Sequence, residues 1–153
     1  MAEVRFYHLT ERPLEAVLPV MLERSLARGW RVVVRGAEAM RISALDTYLW
    51  TYRDESFLPH GAEGSGTGAD QPVWLTTAGD MPNDPQALML IDGAQAPDQD
   101  IKAMEMTAIL FDGLDPGAVA HARTQWRQVT QAGIRAVYWA QENGSWVRKS
   151  ESG

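Results

Sequence analysis

The chain has 153 residues, of which 45% are hydrophobic and 22% charged, and it contains 13 Gly, 8 Pro and no Cys. This length and composition are typical of one globular domain and exclude a disordered or fibrous chain. The lack of cysteine excludes disulfides, thiolate zinc sites and a cysteine nucleophile. No apolar run approaches the ~20 residues of a membrane span, and the first eight residues lack an apolar signal region, so we expect a cytoplasmic protein.

The net charge of -6 is distributed unevenly along the chain. Residues 1–53 carry a net +2, residues 54–120 a net -11 and residues 121–149 a net +4. An acidic middle followed by a basic quarter predicts a local anion site on a body that otherwise repels anions. The alternative is ordinary solvated surface charge.

The first third of the chain alternates between strand and helix patterns. The predicted elements are a strand over 3–9, a helix over 13–28, a strand over 30–34 and a helix over 39–49. Thr10 is the expected N-cap of the first helix, and Gly29 its C-cap. Pro19 lies inside that helix and should kink it or delay its regular start.

The rest of the chain begins with a long loop, predicted over 53–71 from Pro59 and from the four glycines at positions 61, 64, 66 and 68. Further predicted elements are strands over 73–76, 87–91 and 106–111, a helix from 116 to 133, and strands over 135–141 and 145–149. Asn143-Gly144 between the last two strands is a strong hairpin signal.

The alternation of strands and helices predicts a single three-layer α/β domain over 1–149 with a mostly parallel sheet. The terminal hairpin makes the sheet mixed, with an antiparallel C-terminal edge. Residues 150–153 are expected to be a disordered tail.

Patterns that would indicate an enzyme are weak. No glycine lies between the first strand and the first helix, so no phosphate cradle is expected there. The glycines of 64–68 follow no strand and precede no Lys, which favours a flexible loop over a nucleotide site. His8, His60 and His121 are far apart in sequence and are expected to be structural or exposed. We therefore predict no catalytic site, no metal and no cofactor.

One constellation stands out on the last helix. Arg123, Trp126 and Arg127 are spaced i, i+3 and i+4, so they can share a surface. Two guanidinium groups beside an indole suit a ligand with a carboxylate and an apolar ring. The alternative is that Trp126 belongs to the core stripe and the arginines are solvated, and the spacing leaves both open.

A second constellation lies between residues 49 and 60, where Trp50, Tyr52 and Phe57 surround a helix end and a loop start. Large aromatic side chains in a loop are typical of an interface. The alternative is that Trp50 and Phe57 close the edge of the core.

Several segments, by their order and spacing, resemble one protein family. They are Phe6-Tyr7-His8-Leu9, Gly29-Trp30-Arg31-Val32, Leu45-Asp46, Leu49-Trp50, Glu55-Ser56-Phe57-Leu58-Pro59-His60-Gly61, Gln71-Pro72-Val73-Trp74-Leu75-Thr76, Leu110-Phe111-Asp112-Gly113 and Ala132-Gly133. With them the chain resembles the chi subunit of bacterial DNA polymerase III over nearly its whole length.

The resemblance implies a Rossmann-like fold without a nucleotide site and a non-catalytic accessory subunit of the polymerase III holoenzyme. Chi subunits link the clamp loader, through the psi subunit, to single-stranded DNA-binding protein. They bind the acidic C-terminal tail of that protein, which ends in phenylalanine with a free carboxylate. DNA is then contacted only indirectly, and polymerase activity belongs to the parent assembly.

The resemblance also assigns site residues. The family's tail-binding arginine falls on Arg123, the following aromatic on Trp126 and the next basic residue on Arg127. Its remaining pocket residues fall on Trp50, Phe57 and Phe111. Two positions depart from the family pattern: a lysine of some members is Val119, and a small apolar residue is Asp112, which disfavours an acidic tail unless its side chain points away.

Two other function classes stay open at this point. One is a nucleotide- or metal-dependent enzyme of Rossmann-like fold. The other is a protein that binds single-stranded DNA directly through arginines and tryptophans, which the acidic middle of the chain disfavours.

Overall fold

The computed structural model describes residues 2–52, 58–64 and 68–152. Within these ranges eight strands form one sheet in the order β3-β4-β2-β5-β6-β1-β7-β8. Every pairing is parallel except that of β7 with β8. The predicted α/β class, the mostly parallel mixed sheet and the antiparallel edge hairpin are confirmed.

The strands are β1 (Glu3–Leu9), β2 (Val32–Arg35), β3 (Gly61–Ala62), β4 (Val73–Thr76), β5 (Ala87–Ile91), β6 (Met106–Asp112), β7 (Arg135–Glu142) and β8 (Ser145–Ser152). The helices are α1 (Leu14–Ala27), α2 (Ala39–Thr51), α3 (Asp98–Ala103) and α4 (Pro116–Gln131), with a 3-10 turn at Gly68–Asp70. No helix in the described ranges has the length and apolarity that a membrane crossing requires.

The hydrophobic core lies on both faces of the sheet. Every residue of β2 and β5 is buried, as expected for parallel strands covered by helices on both sides. On one face the cluster includes Leu18 of α1 and Leu45 of α2. On the other face it includes Ile101 of α3 and Val129 of α4. We call these the α1/α2 face and the α3/α4 face.

The first helix matches the sequence prediction in extent but not in its cap. Pro13 occupies the N-cap position without a side-chain cap, so the prediction of Thr10 as N-cap is wrong. Pro19 lies within the continuous helix. Gly29, just beyond the end of α1, has φ +81, the left-handed conformation expected of a terminating glycine.

Thr10 instead belongs to a loop held by Gln141. The Gln141 side-chain oxygen accepts the backbone N–H groups of Thr10, Glu11 and Arg12 at 2.9, 2.9 and 3.1 Å. In nucleotide-binding α/β proteins the donors after the first strand face a phosphate. Here the side chain of Gln141 on β7 accepts the hydrogen bonds of these donors.

Two elements of the middle segment were missed by the sequence analysis. Residues 61–62 form the short strand β3 beside β4, within the predicted loop. Residues 98–103 form α3, of which Ile101 is buried among the residues of the α3/α4 face. Both elements are too short for their hydrophobic spacing to distinguish them from loops.

The C-terminal hairpin is confirmed and longer than expected. Asn143 and Gly144 have φ +53 and +79, as a tight hairpin turn with two left-handed residues requires. β8 continues to Ser152, which pairs with Ala136. The expectation of a disordered tail from 150 onward is therefore corrected for residues 150–152, because the β7 edge supplies hydrogen-bond partners for them.

Candidate functional site

The candidate site lies on α4, whose start is fixed by its sequence. The Asp115 carboxylate accepts the N–H of Gly117 at 3.0 Å, and Pro116 occupies the first turn. From this start the helix buries Ala122 and Val129 against the sheet. The same rotation leaves the neighbouring positions 123 and 127 exposed.

Trp126 is half-buried and joins the helix to the sheet. Its ring lies 5.2 Å from that of Phe6 and 6.0 Å from that of Tyr138, measured between centroids. The packing of Trp126 against the core agrees with one of the two interpretations left open by the sequence, and its role in binding a ligand stays a prediction. Its inner part packs in the core, and its remaining exposure lies on the α4 surface.

The two arginines of this surface have no carboxylate partner in the described ranges. Neither Arg123 nor Arg127 has an ion pair with any residue described. Arg127 makes a single long hydrogen bond, 3.4 Å, to the hydroxyl of Thr124. Both guanidinium groups therefore keep most of their five N–H donors available for an anionic ligand.

Tyr138, on β7, lies beneath this surface and was missed by the sequence analysis. Burial raises the pKa of its phenol, and the nearby positive charge of Arg123 partly opposes that rise. The hydroxyl lies 2.7 Å from Nδ1 of His8. The Nε2 atom of His8 lies 3.3 Å from the carbonyl of Gly113, which can only accept. This assigns the His8 proton to Nε2, so the Tyr138 hydroxyl donates to Nδ1.

The signal that would have located Tyr138 is its position in the predicted strand over 135–141. In a parallel sheet, β7 next to β1 brings Tyr138 opposite Phe6. Strand order is not readable from the pattern of apolar residues, because the same pattern fits several orders. The pairing of β1 with β7 thus had to come from the structure.

Phe111, another predicted site residue, lies at the end of β6 and is buried. Its ring is 5.1 Å from that of His8 and 6.0 Å from that of Tyr138. It belongs to the same aromatic cluster as Trp126, formed by Phe6, His8, Phe111, Trp126 and Tyr138. Phe111 therefore packs beneath the α4 surface, as part of the aromatic cluster, and is not exposed on it.

The two departures from the family pattern have different environments. Val119 is half-buried and packs against the core of the α3/α4 face. Asp112 is exposed at the end of β6, and its carboxylate accepts the N–H of Leu114 at 2.9 Å. That hydrogen bond directs the carboxylate of Asp112 into its own turn.

Trp50 does not lie in this cluster. It is 49% exposed at the end of α2, which packs on the α1/α2 face, and its ring lies tilted against that of His60 with centroids 4.1 Å apart. His60 precedes β3, which is five strand spacings from β1 in the sheet, or about 24 Å at about 4.8 Å per strand. The expectation that Trp50 walls one pocket together with Trp126 is therefore corrected. Phe57 lies outside the described residues.

The three histidines have structural hydrogen bonds. The rings of His8, His60 and His121 lie within 3.3, 2.7 and 3.1 Å of the carbonyls of Gly113, Leu58 and Gly93. His60 also lies 3.1 Å from the carboxylate of Asp46. In the described ranges no three His, Asp or Glu side chains are grouped as metal ligands would be.

Cavities at the carboxyl ends of the strands have the wrong charge for an anion. A cavity of about 450 Å³ lies between β5, β6 and the start of α4, and Asp92, Asp112 and Asp115 line it. A neighbouring cavity of about 420 Å³ is lined by more carboxylates than arginines, namely Glu11, Glu15, Asp92 and Asp112 against Arg12 and Arg41. The exposed arginines of α4 lie on the helix surface beyond this acidic edge.

Comparison with known proteins gives two findings. A family model described as DNA polymerase III chi subunit, HolC, matches residues 1–137. A protein of Rickettsia prowazekii (strain Madrid E), named probable DNA polymerase III subunit chi, is 28% identical over 92 residues. The aligned region covers 60% of this chain and 55% of that relative, so it spans about half of the relative's length.

Proposed function

The chain belongs to the DNA polymerase III chi subunit family, and from this premise we propose that it binds the C-terminal tail of single-stranded DNA-binding protein through α4. A chi subunit is an accessory part of the replicative polymerase. The observation that carries the proposal is the pair of exposed arginines, Arg123 and Arg127, without a carboxylate partner in the described ranges and beside the half-buried Trp126.

In the proposed complex the terminal phenylalanine of the tail packs against the exposed part of Trp126. Its free carboxylate receives hydrogen bonds from Arg123, and Arg127 lies one turn further along for acidic residues upstream. A guanidinium offers a planar pair of donors that matches a carboxylate. An apolar ring next to an anion is the combination that an indole beside two guanidinium groups recognises.

The charge distribution favours α4 over the carboxyl edge of the sheet as the place where the tail binds. Residues 54–120 carry a net -11, and the cavities at the carboxyl edge are lined by aspartates and glutamates. An acidic tail is repelled from that edge and attracted to the middle of α4. Asp112 is the acidic side chain to be considered at the site. Its carboxylate accepts a hydrogen bond from the Leu114 N–H, which reduces its electrostatic repulsion of an acidic tail.

Short interfaces of this kind have modest affinity, roughly micromolar, which corresponds to about -8 kcal/mol. Several tails on one oligomeric partner would raise the effective affinity by avidity. We also propose that the chain connects this partner to the clamp loader through psi or an equivalent subunit, and that it acts in the cytoplasm. Trp50 and Phe57 are retained as candidate interface residues, with Trp50 on a surface separate from α4.

The proposal is tested by titrating the protein with a fluorescently labelled acidic peptide that ends in phenylalanine. Arg123→Ala should weaken binding by about 2–4 kcal/mol, because it removes one member of a partly desolvated charge pair. Lys102→Ala is the matched control, since Lys102 is an exposed cation on α3 and its loss changes the net charge equally. Unchanged affinity in Arg123→Ala would overturn the proposal.

A further inference from the structure

A second concave surface lies on the opposite side of the sheet from α4, at the amino ends of β1 and β6. It is a groove of about 540 Å³ on the α1/α2 face. Its lining residues are Arg5, Tyr7, Met21, Arg24, Ser25, Ala27, Arg28, Trp30, Met89, Met106, Trp139 and Trp146. We call it the tryptophan groove.

The tryptophan groove contains three of the six tryptophans of the chain. Trp30 follows α1, whereas Trp139 and Trp146 come from the two strands of the C-terminal hairpin. The family model ends at residue 137. Two of the three indoles, those of Trp139 and Trp146, therefore lie outside the residues that the family model matches.

The charge of the groove distinguishes it from the other large cavities. Among the described residues that line it, three are arginines and none is Asp or Glu, whereas aspartates and glutamates line the two cavities at the carboxyl edge. Arg5 is paired with Glu3. Arg24 and Arg28 are exposed and have no ion pair with any described residue. Arg24 lies in the last turn of α1, and Arg28 is its C-cap residue four positions further on, so the two are about one turn apart.

Each of the three indoles is held by a contact with a neighbouring side chain. The Arg28 guanidinium lies 4.0 Å from the ring centroid of Trp30, and that of Arg148 lies 5.3 Å from the ring of Trp139. Trp146 meets Tyr7 edge-on, with centroids 5.1 Å apart. The Nε1 donor of Trp139 is buried without a hydrogen-bond partner in the described ranges. Rings fixed in this way are preorganised to stack with a flat ligand.

We propose that the tryptophan groove binds a short stretch of single-stranded DNA. Two bases stack against the indoles, and successive phosphates receive hydrogen bonds from Arg24 and Arg28. Base stacking on aromatic side chains next to a cationic track is how proteins bind single strands without reading their sequence. Several aromatic surfaces and two separate cations fit a repeating base–phosphate chain better than a peptide with one terminal ring and carboxylate.

The site is independent of the proposed tail-binding surface. The groove lies on the α1/α2 face, and α4 packs on the α3/α4 face. A failure of one proposal therefore leaves the other unaffected. If both hold, the subunit contacts single-stranded DNA-binding protein and a free stretch of the strand at the same time.

The test measures quenching of tryptophan fluorescence by an oligodeoxythymidylate of roughly 10 nucleotides, within the usual site size of a small domain. The unmodified protein is compared with the double variant Arg24→Ala/Arg28→Ala and with Arg12→Ala/Lys102→Ala, a control with the same change in net charge at exposed positions outside the groove. The first variant should lose at least ~10-fold in affinity. Its plot of log K against log salt should be shallower by about 1.4, the value for two phosphate contacts on a single strand.

Trp146→Ala provides a second variant, because it removes a stacking surface without altering charge. A blunt duplex of the same length is the ligand control and should not quench, since its bases are already stacked. Absence of quenching by the single strand, or equal loss in both double variants, would overturn the proposal. Competition by the acidic tail peptide at the groove would identify a peptide site there and would also overturn it.

Discussion

The guanidinium of Arg123 lies close enough to the hydroxyl of Tyr138 for its charge to oppose the rise that burial causes in the pKa of that phenol. The two residues come from α4 and β7, elements that pack on each other next to Phe6. Arg123 is therefore accessible to a ligand, and its charge also acts on Tyr138 in the aromatic cluster. The proposed site therefore has a packed aromatic base and an exposed, charged rim.

This proximity can be tested by titration. Arg123→Ala removes the charge that opposes the effect of burial, so the pKa of the Tyr138 phenol should rise further. Phenolate absorbance in alkali measures it, with Tyr138→Phe to identify the signal. A titration of Tyr138 that is identical with and without Arg123 would show that the two side chains are further apart than described.

Gly113 is predicted to be intolerant of any side chain. A Cβ atom built there would lie 1.8 Å from Cδ2 of His8 and 2.8 Å from Cγ2 of Thr10. Gly113→Ala must therefore displace the ring that accepts the Tyr138 hydrogen bond, and we expect a loss of roughly 1–3 kcal/mol in the free energy of unfolding. Gly79→Ala is the control, since nothing lies within 4 Å of its Cβ position. Equal urea midpoints for both variants would contradict the packing described.

The ion pairs of Glu3 predict a dependence of stability on pH. Burial alone raises the pKa of this carboxyl, but hydrogen bonds and charges from Arg5 and Arg135 outweigh it, so the pKa is lowered. Because the folded-state pKa is below that of the unfolded chain, the stabilisation is present above the ordinary glutamate pKa. It is lost as the pH falls through the folded-state value.

Glu3→Gln should therefore be less stable than the wild type at neutral pH, by up to about 1 kcal/mol for a partly exposed pair. The difference should vanish in acid. Chemical denaturation at several pH values measures it, with Glu38→Gln as a control at an exposed N-cap that makes no side-chain cap bond. A deficit that persists unchanged at low pH would show that the carboxylate charge of Glu3 is not involved.

The position of Trp50 leads to a prediction about surfaces. It lies on α2, on the α1/α2 face, and its ring contacts that of His60. Trp50→Ala should leave binding of the acidic tail within twofold of the wild type, whereas Trp126→Ala should abolish it. Thermal unfolding of both variants checks that each remains folded. If Trp50→Ala weakened tail binding as strongly as Trp126→Ala, the two tryptophans would have to share a site.

Much of the fold was predictable because long elements have clear hydrophobic periods. β1, α1, β5 and α4 were located within a few residues, and Asn143-Gly144 indicated the hairpin through its required left-handed conformation. The short elements β3 and α3 were not predicted. They have two and six residues respectively, which is too few for a hydrophobic period to show in the sequence.

The site was predictable only in part, for reasons of topology. The i, i+3, i+4 spacing placed Arg123, Trp126 and Arg127 together because it is local to one helix. Tyr138 and Trp50 depend on strand order and on which face each helix covers, and neither can be read from local spacing. The prediction of Thr10 as N-cap was wrong because its backbone N–H donates to the side chain of Gln141, which is 131 residues away in the sequence.

The central claim is that Arg123 recognises the terminal carboxylate of an acidic, phenylalanine-ending tail. The most direct measurement is a double-mutant cycle between Arg123→Ala and amidation of the tail's C-terminus, followed by calorimetric titration. We predict that each change alone weakens binding by about 2–4 kcal/mol and that the two together cost little more than either. Fully additive losses, or full affinity for the amidated tail, would contradict the account.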